Sequence, residues 1–352
     1  RIFRKRRKFG NNFVYAAENF KTKWNIINSE FMKKLNWGLI GAGDIVRKRV
    51  APAINNLENC KLVSVSRNRA ELAESFAKEF GAEKWFADWR ELLKDDDTQA
   101  VYIATPVFLH KEQTIAAAEQ GKHVLCEKPM ALNAKDCEEM IAACKANNVK
   151  LGIAYYRRFY PVIERIKEII ALQEIGKISV VQMNAFEYFD PMPENARFWL
   201  LEKRKSGGGP MMDFGCHRLE VLTNLFGKVS EIKSVIGNAA FKRETEDTAI
   251  ASLKFESGVF ANVTVTHAAF EPKDTLEIFG TKGTIDIPVL NKETILIKTE
   301  NGKRTEIHPN HANVHLPLIA DFTDAVLNDK EPQITGETGK LITELEDEIY
   351  KR

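Results

Sequence analysis

From Asn36 onward, short apolar runs alternate with stretches of helical period. Trp37-Gly38-Leu39-Ile40 predicts a first strand. Ile45 to Leu57 predicts a helix with Pro52 inside it, Lys61 to Ser66 a second strand, and Arg69 to Phe80 a helix. Ala100 to Thr105 predicts a strand, His110 to Gln120 a helix, Lys122 to Cys126 a strand, Asn133 to Asn147 a helix and Lys150 to Tyr155 a strand. Asn133, with Asp136 three positions on, is a helix-start signal. Strands separated by helices of roughly 10–15 residues predict a doubly wound parallel sheet.

After Tyr156 the rhythm changes. A helix over Pro161 to Gln173 precedes a long strand at Ile178 to Tyr188, and a loop from Pro191 runs to Gly207-Gly208-Gly209-Pro210. A helix over Met211 to Phe226 follows. Strands are then predicted at Glu231–Gly237, Thr248–Phe255, Val259–His267, Thr275–Phe279, Thr284–Ile287 and Thr294–Lys298. Val259, Ala261, Val263 and Val265 form an apolar face opposite Asn262, Thr264 and Thr266, the alternation of an antiparallel sheet with one wetter side. Helices at Val314–Leu327 and Gly336–Tyr350 close the chain. The boundary between the two halves is expected near residues 153–157, giving a first domain over 32–154 and a second over 155–352.

The 352 residues carry 51 basic and 49 acidic side chains. Eight of the basic and two of the acidic ones lie in residues 1–31, leaving 43 against 47 in the body, which is not the charge of a nucleic-acid binder. The basic segment is expected to be a non-native or disordered extension, with Met32 the native start. The longest charge-free run, Ser257 to Phe270, is 14 residues and alternates like a strand. A membrane helix needs about 20 apolar residues, so no membrane span is expected. Five cysteines without a Cys-x-x-Cys pair point to reduced thiols and a cytoplasmic protein.

Gly41-Ala42-Gly43 follows the first strand and opens a helix. Gly41 suits the tight turn, and Gly43 lets the backbone approach a pyrophosphate at the helix N-terminus. Val46 stands where the G-x-G-x-x-G fingerprint has its third glycine. The second strand ends in Ser66-Arg67-Asn68-Arg69, with no acid for a ribose diol. A hydroxyl and a guanidinium suit a 2′-phosphate, so the sequence leans to NADP over NAD. Ligands of such a sheet bind beyond the carboxyl ends of its strands. Thr105-Pro106 with His110, and Glu127-Lys128-Pro129, fall there. Lys128 can donate to a substrate hydroxyl or act as an acid–base group. Asp213 and His217, four apart on a predicted helix, are expected to share a face, the carboxylate orienting the imidazole. No third His, Cys or acid sits at metal-ligand spacing beside them except Glu220, so no metal is expected.

These motifs occur in one order. Gly41-Ala42-Gly43-Asp44-Ile45 comes first, then Ala104-Thr105-Pro106 with His110, Glu127-Lys128-Pro129, and Tyr156-x-x-Phe159-x-Pro161. Gly207-Gly208-Gly209 with Asp213-x-Gly215-x-His217 follows. Over residues 36 to 350 the chain resembles the glucose–fructose oxidoreductase, inositol dehydrogenase and MocA family. The resemblance implies an α/β chain: an N-terminal Rossmann doubly wound parallel sheet plus a C-terminal α+β domain with an open, mainly antiparallel sheet. It implies hydride transfer between NAD(P) and a sugar, cyclitol or related polyol or dihydrodiol, in a homodimer or homotetramer joined through the C-terminal sheet. It also implies site roles. Gly41, Gly43, Asp44 and Ile45 would meet the pyrophosphate, and Ser66 and Arg67 the adenosine ribose. Thr105, Pro106 and His110 would line the cofactor cleft, with Glu127, Arg197 and Trp199 near the nicotinamide. Lys128, before a cis Pro129, would bridge cofactor and substrate. Asp213 and His217 would complete the acid–base group, with Tyr156 on the substrate side. Whether Lys128 or His217 is the base stays open. One departure is Glu220, where many members have Asp. Two other readings share the fold: a catalytically silent NADP-binding sensor, and a redox-assisted glycosidase.

Overall fold

A computed structural model describes residues 33–352; the basic segment lies outside the described residues. Six parallel strands form the first sheet: β1 Leu35–Ile40, β2 Cys60–Ser66, β3 Lys84–Phe86, β4 Ala100–Ile103, β5 His123–Cys126 and β6 Leu151–Ile153. Their order, β3-β2-β1-β4-β5-β6, reverses direction between β1 and β4. That reversal is the topological switch point where open α/β sheets bind ligands. The strands are nearly continuous apolar runs because helices cover both faces.

Eight strands form the second sheet: β7 Ile178–Tyr188, β8 Val229–Gly237, β9 Thr248–Phe255, β10 Phe260–Thr266, β11 Ala268–Gly280, β12 Gly283–Ile287, β13 Thr294–Thr299 and β14 Gly302–Ile307. The order is β14-β13-β12-β11-β7-β10-β9-β8, antiparallel except for the parallel pair β10–β7. Rows such as Ala249, Ala251 and Leu253, or Ala261, Val263 and Val265, face the core. The chain is thus α/β, with a Rossmann half and a mainly antiparallel sheet, as the alternation implied.

Three departures from the sequence expectation have physical reasons. The helix expected from Ile45 to Leu57 opens as a π turn over Val46–Val50 before regular helix at Ala51–Asn56. Pro52, which has no N–H to give, follows directly on the π turn, where the regular ladder of a helix spanning 44–56 is already interrupted. The helix expected from Met211 likewise begins as a π turn, Met211–Gly215, and becomes regular only over Cys216–Phe226. β3 and β14 were not expected: β3 is only three residues long, and β14, Gly-Lys-Arg-Thr-Glu-Ile, is a polar edge strand.

The last two helices, Leu316–Leu327 and Gly336–Tyr350, return to the first half. Phe322 packs on Trp37 of β1 (ring centroids 5.5 Å apart), and Ile153 N–H donates to the Ile334 carbonyl at 3.1 Å. The 155–352 span therefore contributes to both halves, and the cleft between them is tied from behind.

Candidate active site

At the end of β1, Gly41 takes φ +82°, and a Cβ there would lie 2.8 Å from both the Ala104 carbonyl oxygen and Thr105 Cγ2. Only glycine suits this position, because it combines left-handed backbone with close approach to the β4 loop. A Cβ on Gly43 would project into open space, with nothing nearer than the Gly41 oxygen at 3.8 Å. The entry to the helix is thus open at Gly43, where a pyrophosphate would meet the helix N-terminus, and the residues fit a dinucleotide. Ile45 lines the cleft. Asp44 does not: its side chain is exposed and pairs with Lys48 at 2.7 Å. The buried Ser66 adjoins the glycine turn, its carbonyl accepting from Gly41 N–H at 3.1 Å. Arg67 follows it without an ion-pair partner among the described residues. Burial, then the neighbouring Arg47 and Arg69, lowers its proton affinity.

The β4 and β5 loops supply the next groups. Thr105 lines the cleft and donates to Gln113 Oε1 at 2.6 Å. Pro106 caps the short 3₁₀ turn Val107–Leu109. His110 does not face the cleft as expected. It is buried, with Nε2 2.8 Å from the Thr105 carbonyl and Nδ1 3.0 Å from that of Pro129. It braces the two loops against each other, because it starts a helix that runs behind both. The Lys128–Pro129 bond is cis. Glu127 is buried and accepts from Tyr102 O–H at 2.7 Å and from Lys128 N–H at 3.2 Å. Burial raises its pKa, and the Lys128 charge only partly offsets this.

Lys128 Nζ donates to the Asp213 carbonyl at 2.7 Å and lies 3.7 Å from its Oδ1. The π turn explains the first contact, since such turns drop a carbonyl from the helix ladder and recur at functional sites. Burial works against the ammonium, yet Cys216, Asp213 and Glu127 favour it and win, so its pKa rises. The Cys216 thiol is itself pushed up to about 12, so at neutral pH the two carboxylates carry this effect. Asp213 titrates below the usual carboxylate range: burial opposes its charge, but Lys128, Arg197 and His267 outweigh burial. Arg197 Nη2 lies 3.2 Å from Asp213 Oδ2 and its guanidinium stacks on Phe189. Arg197 and Trp199 both line the cleft.

The expected pairing, in which the Asp213 carboxylate orients the His217 imidazole, is not formed. The π turn rotates Asp213 toward Lys128, Arg197 and His267, and His217 Nδ1 has no hydrogen-bond partner among the described residues. His217 is buried, edge-on to Tyr155 and Tyr156 with ring centroids 5.7 and 5.0 Å away. Burial above all, then Arg157 and Lys128, holds its pKa well below the ordinary imidazole value. Tyr156 lines the same cleft and stacks on His315 at 4.5 Å. Glu220 is fully buried in an ion pair with Arg158 at 2.7 Å, away from the cleft lining. The cleft, about 340 Å³, brings Ile45, Thr105, Glu127, Lys128, Tyr156, Arg197, Trp199, Asp213 and His217 together.

Glu187 and His267 escaped the sequence reading. With Asp213 they bring three ligand-type atoms within 4.8 Å of one another, from β7, the π turn and the β10–β11 bend. Their signal lay in strand period. Val181, Met183 and Ala185 lead to Glu187, and Ala261, Val263 and Val265 lead to His267, so both polar groups end inward-facing apolar rows.

Residues 35–155 match the oxidoreductase family with an NAD-binding Rossmann fold, and 163–286 match the C-terminal domain of the GFO/IDH/MocA family. The chain is 32% identical over 312 residues to a 1,5-anhydro-D-fructose reductase from Ensifer adhaerens, covering 86% of this chain and 91% of that protein. The chain belongs to the GFO/IDH/MocA oxidoreductase family. It is similar in structure to an aldose-aldose oxidoreductase from Caulobacter crescentus complexed with glycerol, with TM-score 0.83 and 25% identity, covering 91% of this chain and 97% of that one. A levoglucosan dehydrogenase in complex with NADH and levoglucosan gives TM-score 0.82 at 25% identity, covering 91% and 97%. The protein is an NAD(P)-dependent oxidoreductase of CH–OH groups. Among the described residues, no helix is long and apolar enough to cross a membrane.

Proposed function

We propose that the protein moves a hydride between NADP and a CH–OH group of a sugar, cyclitol or related polyol. The observation that carries this reading is the convergence of Lys128, Asp213, His217 and Tyr156 on the cleft that begins at the bare glycine turn. The matched reductase and the glycerol and levoglucosan complexes support a polyhydroxylated substrate.

Oxidation takes a hydride from carbon and a proton from its hydroxyl. Bound nicotinamide supplies the hydride acceptor. Lys128, held as a cation, donates a hydrogen bond to the substrate oxygen and steadies its developing charge. His217, held neutral, takes the hydroxyl proton. Asp213 keeps the ammonium in place from one side while its own carbonyl fixes Nζ from another. Lys128 as the base is disfavoured because an ammonium has no lone pair to accept with.

NADP is favoured by Arg67, without an ion-pair partner among the described residues and flanked by Arg47 and Arg69, at the end of a strand that carries no acid. Such a cluster attracts a 2′-phosphate and repels nothing on the diol of NAD. Cytoplasmic placement and assembly through the second sheet belong to the same reading. The outer face of that sheet supports assembly: Phe260, Val180 and Phe279 sit side by side across β10, β7 and β11, and all three are exposed. The test is a sugar and polyol panel followed by NADPH absorbance, with NADPH and NADH titrated in parallel. Turnover of a polyol with tighter NADPH binding is expected. No turnover with any CH–OH compound, or a cofactor that returns unchanged while a glycosidic bond breaks, would overturn it.

A further inference from the structure

One side of the Asp213 carboxylate faces residues that line no part of the cleft. His267 occupies the bend between β10 and β11. Its N–H donates to the Asp247 carbonyl and its carbonyl accepts from Phe189 N–H, both at 2.8 Å. Its ring is fully buried between Phe189 and Phe214, at centroid distances of 5.0 and 5.3 Å. Behind it, Arg243 Nη2 lies 2.8 Å from His267 Nδ1, and the same guanidinium donates to the carbonyls of Phe189 (2.9 Å) and Glu246 (3.1 Å).

A guanidinium has donors only, so His267 Nδ1 accepts. Burial, opposed in part by Asp213, lowers the imidazole pKa to about 4, so the ring is neutral at working pH. A neutral ring that accepts at Nδ1 carries its proton on Nε2. Nε2 faces Glu187 Oε1 at 3.6 Å and Asp213 Oδ2 at 3.9 Å, and neither Nε2 nor Glu187 Oε1 has a hydrogen-bond partner among the described residues. The three groups are spaced as a cation would need. The tautomer argues otherwise, because a protonated Nε2 has no lone pair to give a metal. Arg197 and Lys128 also already bring positive charge to Asp213.

We infer that His267, fixed as its Nε2–H tautomer by Arg243, is a positioning residue that holds Asp213 as an anion turned toward Lys128. This rests on the roles proposed above for Lys128 and Asp213. The charged groups facing Asp213 are Lys128, Arg197, Arg218 and Glu187; those facing His267 are Asp213, Arg243, Arg197, Asp247 and Glu187. Glu187 opposes a second negative charge beside it, and the buried N–H between the two carboxylates relieves that repulsion. Removing the N–H leaves the two carboxylates facing each other unrelieved, so the Asp213 carboxyl titrates at higher pH.

Two measurements on the full chain test this. In protein with ¹⁵N-labelled histidine, NMR should show His267 neutral at pH 7 with its proton on Nε2, and Arg243→Met should abolish that preference. In a pH titration of the Asp213 side-chain carboxyl followed by ¹³C NMR, with Asp213→Asn for assignment, the midpoint should lie at higher pH in His267→Phe than in the parent. His267→Gln, which keeps an N–H donor, should recover part of the shift, and NADPH affinity should be retained in both. An Nδ1–H tautomer, or an unmoved Asp213 midpoint in the His267 variants while Lys128→Met is inactive, overturns this inference alone. Activity lost to a chelator and restored by Zn²⁺ overturns it in favour of a metal site. Full activity in Lys128→Met overturns the site reading beneath it. Should His267→Phe fail to fold, the tautomer measurement still decides.

Discussion

At the residue scale, the site works by burying groups of opposite tendency together. Lys128 stays charged because carboxylates around it outweigh its burial, and His217 stays neutral because burial above all, then the cations near it, disfavours its charge. The sign of the pH dependence follows. His217 must be unprotonated to accept a proton, and its pKa lies below the ordinary imidazole value of about 6.5. For oxidation, kcat/KM should therefore be level above roughly pH 6.5 and fall only on the acid side. A break centred at or above that value would contradict a neutral His217. His315 gives a stability counterpart. It is fully buried, neither ring nitrogen has a hydrogen-bond partner among the described residues, and burial followed by Arg49 lowers its pKa to about 3. The unfolded chain takes up this proton near pH 6.5 and the folded chain only near pH 3, so stability is lost as pH falls through that window. His315→Gln should lose about 2 kcal/mol less than the parent between pH 7 and pH 5, at about 1.4 kcal/mol per unit. Equal losses in urea unfolding at the two pH values would show that His315 protonates freely in the fold.

At the element scale, the strand–glycine–helix unit carries the cofactor reading. Ala at position 41 would have to adopt φ +82° and meet the Ala104 carbonyl, so Gly41→Ala should cost at least about 1–2 kcal/mol and weaken NADPH binding. An unchanged melting temperature and affinity would show that the turn is not under that constraint. At the end of β2, a charge-assisted hydrogen bond is worth about 1.5–3 kcal/mol, or roughly 10- to 150-fold in affinity. NADPH should bind tighter than NADH by that order, and Arg67→Asp should reverse the preference; equal titrations in the parent would reject it. This scale also shows what was legible in sequence. Apolar period located β1, β2, β4 and β5 and the glycine turn between them, because buried parallel strands read as unbroken apolar runs. It missed the two π turns, since their residues keep a helical apolar pattern, and with them the rotation of Asp213 away from His217. It also missed the polar edge strand β14, which pairs on one side only and has no core face to write.

At the scale of the whole molecule, six separate stretches of chain, from Ile45 to His217, line the cleft. Lys128 and Asp213 are separated by 85 residues, and Arg243 and His267 come from further loops, so no local spacing could announce their contact. Motif order carried Lys128, Asp213 and His217 into the reading, while Glu187 and His267 were visible only as polar ends of apolar rows. The outer sheet face makes its own prediction. If Phe260, Val180 and Phe279 meet a second copy, Val180→Asp should lower the mass measured by light scattering without lowering cofactor affinity, and a parent already monomeric would end the proposal.

The central claim is that Lys128 and His217 handle the substrate proton while the hydride passes to the cofactor. The measurement that tests it most directly is turnover of an accepted polyol by Lys128→Met and His217→Ala, with NADPH affinity measured on the same samples. Turnover should fall by roughly 10²–10⁴ in each, the usual worth of a positioned proton-transfer group, while NADPH still binds. Near-normal turnover in both variants would contradict the account.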